Sequence, residues 1–256
     1  MMDFLAILKS RNYILFYFGL ACLLGGVLLL LKAIGSHVQV NGVNAWYKPF
    51  KFALSIGVFC WTMGWYTGYL QPDSQIKLYN WAMVVLLGFE LIYITLQAGR
   101  GQLSHYNVSS PLYTWLTIAM ALAATAATLY TGYIGILFCT RDFPELSEQY
   151  LWAIRMGIFL FVIFAFEGAV MGANGSHTVG GTGGDGDGLP LLNWSRKYGD
   201  LRVAHFVGMH SLQILPLLAC YLLKDIKGLY VLVFIYGALA VFCLLQALKS
   251  KPLFSF

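Results

Sequence analysis

Glu90, Tyr93, Gln97, Gly101 and Ser104 follow one another at intervals of three and four. On an α-helix that spacing puts them along one face, with His105 and Asn107 at its end. Such side chains can hold a proton, hydrogen-bond a polar substrate or ligate a metal. The stretch around them is otherwise apolar, and a carboxylate about halfway through a membrane span costs several kcal/mol against lipid. Glu90 must therefore face the inside of a bundle, a partner or water. Its plain role is a neutral acid joining two helices. A functional role is favoured because the polar row continues toward His105.

Glu167 repeats the pattern farther along, with Met171 and Asn174 on its face. Arg155 lies twelve residues upstream, about 18 Å away on a helix, so it snorkels to the interface and leaves Glu167 alone. A third polar stretch is GDLRVAHFVGMHSLQILP, which begins at Gly199. His210 and Gln213 share a face there, whereas His205 and His210, five apart, point about 140° away from each other on a straight helix. Either the segment from Asp200 to His205 is not helical, or Pro216 distorts the turn before it and re-aims His210.

The elements that must position these groups follow from composition. Of 256 residues, 59% are hydrophobic and 11% charged, far from the roughly 25% charged residues of soluble domains. A span needs about twenty apolar residues, so the chain reads as one all-α transmembrane domain over 1–256, a polytopic bundle of about seven helices. The spans are 13–31, 52–70, 81–98, 112–138, 151–171, 203–223 and 228–248. No strand alternation is present, which excludes a β-barrel. The start, MMDFLAILKSRNY, is an interfacial helix leading into a retained first span. The five cysteines lie in or beside apolar runs and act as small hydrophobes.

The net charge of +5 is spread as ones and twos beside apolar runs, which speaks for membrane orientation and against nucleic acid. With seven spans, the connections 32–51, 99–111 and 172–202 share one face with the C-terminus, and that face gathers the histidines. It is also the more basic one, which points weakly to the cytoplasm. If Lys48, Lys51 and Arg100 belong to a site, the two faces balance and sidedness stays open. The AWYKPFKF segment reads as an aromatic and cationic interfacial anchor, and the threonines of the fourth span as packing glue. The Gly-rich loop 172–202 is too rich in glycine to be helical in its middle and could serve as a lid. Its Gly184-Asp185-Gly186-Asp187 string resembles the GxGD of membrane aspartyl proteases by coincidence, since it lies outside any span.

Several chemistries are excluded. The last span has no lysine for retinal, there is no HExxH, and five histidines are too few for an all-histidine diiron site. What remains is a His/carboxylate site near one membrane face, with Glu90, Glu167, Arg100 and Asp200 as catalytic groups and His105, His177, His205 and His210 as metal ligands. A transition metal (zinc, iron or copper) suits that donor set and would activate water or oxygen for a lipid or other hydrophobic substrate entering from the bilayer. Three other classes stay open. One is a proton-coupled transporter or channel using Glu90, Glu167 and His210. Another is a haem b electron-transfer protein with His105 and either His205 or His210 as axial ligands. The last is an assembly subunit without chemistry. A plasma or inner membrane is the expected location.

Overall fold

The computed structural model describes residues 2–70, 73–181 and 188–254. The chain divides into two compact units, Met1–Ala127 and Thr128–Phe256. The Gly184 to Asp187 string falls outside the described residues.

The first unit holds α1 (Met2–Arg11), α2 (Tyr13–Ile34), a hairpin of β1 (Gln39–Val40) and β2 (Val43–Asn44), α3 (Tyr47–Thr67), α4 (Ser74–Gly99) and the start of α5 (Pro111–Thr140). Asn41 and Gly42 both take positive φ (53° and 79°), the two-residue turn that Asn-Gly favours between antiparallel strands. Asn12 starts α2 by accepting from Leu15 N at 3.0 Å, and its amide donates to Thr67 Oγ1 at 2.9 Å and to Asn80 Oδ1 at 3.0 Å. One buried side chain thereby ties α2, α3 and α4 together. Helices α2 and α3 approach closely through Gly19 and Gly57: a Cβ on Gly19 would stand 3.1 Å from Gly57 O.

The second unit holds the rest of α5, then α6 (Glu148–Ala165), α7 (Glu167–Ala173), β3 (Thr178–Val179), β4 (Gly199–Asp200), α8 (Leu201–Met209), α9 (Ser211–Tyr221) and α10 (Ile226–Leu248). Strands β3 and β4 pair antiparallel, Thr178 against Asp200, and so clamp the two ends of the Gly-rich connection. Helix α6 packs on α9 and α8, and α8 on α10. At Gly157 the α6 and α9 backbones nearly touch, and Ser211 Oγ donates to Gly157 O at 2.9 Å.

The protein is mostly helical, and among the described residues five helices are long and apolar enough to cross a membrane: α2, α4, α5, the run Glu148–Ala173 and α10. The pair α8 and α9, bent by 41°, makes a sixth if it is one span. The expected span over 52–70 is the exception. Its helix, α3, has the length but not the apolarity, because Lys48, Lys51, Ser55, Thr62 and Thr67 fall within it. The outward faces of the spans carry Leu24, Leu28 and Leu31 on α2 and Phe234, Ile235 and Phe242 on α10, all exposed. An apolar belt of this kind needs a lipid bilayer around it.

Candidate functional site

In the first unit the polar row forms as its spacing predicts. Asp73 caps α4 by accepting from Ile76 N at 2.8 Å, and the helix buries Glu90, Tyr93 and Gln97 on one face. Past its end, Gly101 turns the chain with φ +65°, and Gln97 Nε2 reaches Leu103 O at 3.0 Å to hold the returning segment. Asn107 Nδ2 donates to the same carbonyl at 3.1 Å. This fixes His105, whose Nδ1 lies 3.1 Å from Lys48 Nζ and 3.1 Å from Ser104 Oγ, with the Phe52 ring beside it.

An ammonium can only donate, so Nδ1 of His105 is an acceptor and the ring proton sits on Nε2. Burial, and after it the Lys48 charge, hold the imidazole well below the ordinary histidine range. A ligating histidine normally passes its second N–H to an acceptor, whereas His105 meets a donor there. Two further polar groups on this face, the Tyr93 hydroxyl and the Gln97 side-chain amide, are buried. Arg100 closes α4 and is exposed.

The second unit presents a different arrangement. The helical run from Glu148 to Ala173 has one turn residue, Phe166, between α6 and α7, which keeps right-handed helical dihedrals (φ −67°, ψ −14°), and Glu167 follows it. Glu167 is 4% exposed and, among the described residues, neither of its carboxylate oxygens has a hydrogen-bond partner. Arg155 is not available to it: its Nε donates to Phe138 O at 2.9 Å and its guanidinium lies over the Trp152 ring.

Asp200, also buried, is fully engaged. It accepts from Ser195 N at 2.8 Å, Arg202 N at 3.1 Å, Arg202 Nε at 2.9 Å and Arg202 Nη2 at 2.7 Å, capping α8 while neutralising Arg202. Arg202 Nη2 also donates to Asn193 O. Helical geometry therefore starts at Leu201, and the break in this span comes at His210, six residues before Pro216. Tyr236 donates its hydroxyl to Val207 O at 2.6 Å on the turn leading into that bend. His205 donates from Nδ1 to Phe164 O at 2.7 Å, since a carbonyl can only accept, which leaves Nε2 as an acceptor. His210 pairs through Nδ1 with Gln213 Oε1 at 3.2 Å, on the face their spacing predicts, with the Phe206 ring edge-on to it. His177 contributes its backbone carbonyl to Leu201 N at 2.9 Å.

Three participants carry little sign of their role in the sequence. Lys48 looks like an interfacial anchor in AWYKPFKF, Arg202 like one of several loop cations, and Tyr236 like any aromatic in an apolar run. Only the i, i+2 spacing of Asp200 and Arg202, in front of a helix, offers a local signal.

Among the described residues, no group of three or more histidine, cysteine, aspartate or glutamate side chains is placed to hold a metal ion. The metal-binding expectation for His105, His177, His205 and His210 thus gains no support. The side chains of His105, His205 and His210 engage Lys48, the Phe164 carbonyl and Gln213 instead. Comparison with protein-family models, with curated proteins and with solved structures finds no match for the chain.

Proposed function

We propose that the chain translocates protons across the membrane, with Glu167 as the group that takes up and releases the transported proton and Glu90 and His210 as further proton-holding groups. The observation that carries this is Glu167 itself, buried in a membrane-spanning run with both carboxylate oxygens unpartnered among the described residues. A buried charge without a partner is far costlier than a neutral acid, so the group rests protonated and becomes charged only while exchanging its proton. Intramembrane ionisable residues of this kind mark proton and ion pathways.

The 41° bend between α8 and α9 at His210 supports the same function, since interrupted helices are where transporters place their binding groups. The test uses the purified full chain in liposomes, with a pH-sensitive dye inside and a potassium diffusion potential set by valinomycin. Wild-type vesicles acidify at least tenfold faster than protein-free ones, and Glu167→Gln removes the excess. Wild-type acidification no faster than that of empty vesicles overturns the proposal.

A second function, a metal-dependent reaction on a lipid or other hydrophobic substrate, is favoured by one observation. His205 has its Nδ1 proton fixed on a carbonyl and Nε2 turned to accept, as ligating imidazoles do. Stoichiometric zinc, iron or copper in the purified protein, without a haem absorption band, would transfer the assignment to that class.

A further inference from the structure

Arg11 carries a charge that the fold positions without neutralising. Its guanidinium lies 4.0 Å from the Trp65 ring centroid and 4.3 Å from that of Tyr69, and its aliphatic stem rests on Gly68, where a Cβ would stand 2.6 Å from Arg11 Cβ. A guanidinium stacked on aromatic rings keeps its in-plane donors for another partner. Its printed-out neighbour is weak: Nη1 reaches the Trp65 carbonyl at 3.4 Å. Lys9 is exposed and lies over the Tyr17 ring, 5.4 Å from its centroid. Among the described residues neither cation has a carboxylate partner.

Both belong to α1, which a single residue, Asn12, joins to the span α2. The Asn12 bonds to Thr67 and Asn80 set that joint. Leu8, fully buried, and Phe4, stacked on Trp65 at 5.2 Å, seat α1 on α3. Away from that contact α1 exposes Ile7 together with Lys9 and Ser10, and the start of α2 exposes Tyr13 and Tyr17. Apolar, aromatic and cationic groups side by side at the end of a span match the headgroup layer of a bilayer, where cations attract anionic lipid.

We propose that α1 and the end of α3 form a binding site for an anionic phospholipid. The Arg11 guanidinium receives the phosphate, Lys9 adds charge beside it, and the acyl chains lie against Ile7 and the exposed start of α2. Arginine suits a phosphate because its planar fork donates to two oxygens at once. A zwitterionic lipid offers the same phosphate but brings its own ammonium against Arg11 and Lys9, so net charge decides. The site is independent of Glu167.

The experiment mixes the purified full chain in detergent with equal amounts of phosphatidylglycerol and phosphatidylcholine and counts the retained lipid by native mass spectrometry. Wild type retains phosphatidylglycerol in excess. A basic side chain near anionic lipid is worth about fivefold in affinity, so Arg11→Gln and Lys9→Gln each lower the excess by about that factor and the double variant approaches parity. Gly68→Ala, which keeps every charge but pushes the Arg11 stem aside, lowers it too. Lys32→Gln, at the other end of α2 and over the Trp46 ring, leaves it unchanged. Wild-type melting shows that the variants are folded; if Arg11→Gln is not, Lys9→Gln at its exposed position carries the comparison. Equal retention of the two lipids by wild type overturns the proposal. So does an excess that survives in the double variant or falls equally in Lys32→Gln. Inorganic phosphate added at constant ionic strength leaves the lipid bound; displacement by it would make this a site for a free anion and overturn the proposal as well.

Discussion

His205 reaches across from α8 to donate its Nδ1 proton to the carbonyl oxygen of Phe164 at 2.7 Å, on the turn where α6 gives way to α7. The ring also packs against Gly168, where an added Cβ would lie 3.9 Å from His205 Cε1. One imidazole thus steadies the α6 to α7 junction immediately next to Glu167.

Removing that donor should both weaken the fold and slow the proton. In His205→Ala a buried carbonyl loses its partner, which costs about 1–3 kcal/mol. His205→Asn, with an amide able to donate, recovers part of it. Melting in detergent checks the stability, and vesicle flux checks that Glu167 has been displaced. Flux that is unchanged in His205→Ala would detach the histidine from the site.

The first unit should lose stability in mild acid because of His105. Its imidazole is held neutral in the fold, well below the ordinary histidine value, by burial and by Lys48. The unfolded chain therefore binds a proton at a pH where the folded one does not. Stability is full above about pH 6.5 and declines as pH falls below it, by up to about 1.4 kcal/mol per pH unit, until the folded group itself titrates. Hydrogen exchange at Ser104 to Asn107, compared between neutral and acidic buffer, reports it. His105→Gln flattens the dependence, and an identical slope in that variant would assign the effect to other groups.

Glycines separate contact from propensity. Gly157→Ala places a Cβ 2.9 Å from Ser211 O, main chain that cannot swing aside, and overpacking of this kind costs about 1–3 kcal/mol. Gly25→Ala meets nothing within 4 Å and adds up to about 1 kcal/mol through helix propensity alone. Opposite shifts in melting temperature are expected, and destabilisation of comparable size in both would refute the α6 to α9 contact.

How far the sequence discloses this protein depends on distance along the chain. Faces are local, so the 3.6-residue period by itself puts Glu90 with Tyr93 and Gln97, and Glu167 with Met171. Helix length and the isolation of Glu167 from Arg155 are equally local. Partners from elsewhere are not. Lys48 and His105 stand 57 residues apart, and no periodicity joins them. Span counting and the structure differ at α3, whose lysines and hydroxyl side chains lower its apolarity below that of the other long helices while packing against α2 buries part of it. The 41° bend at His210 falls six residues short of Pro216, and no local spacing in the sequence marks it.

The central claim is that a proton rides on the carboxyl group of Glu167. Side-by-side acidification rates of vesicles carrying wild type, Glu167→Asp and Glu167→Gln test it most directly. Aspartate keeps the acid and should retain measurable flux below wild type, while glutamine, of the same shape but unable to exchange a proton, should fall to the level of protein-free liposomes. Glutamine and wild type acidifying at equal rates would contradict it.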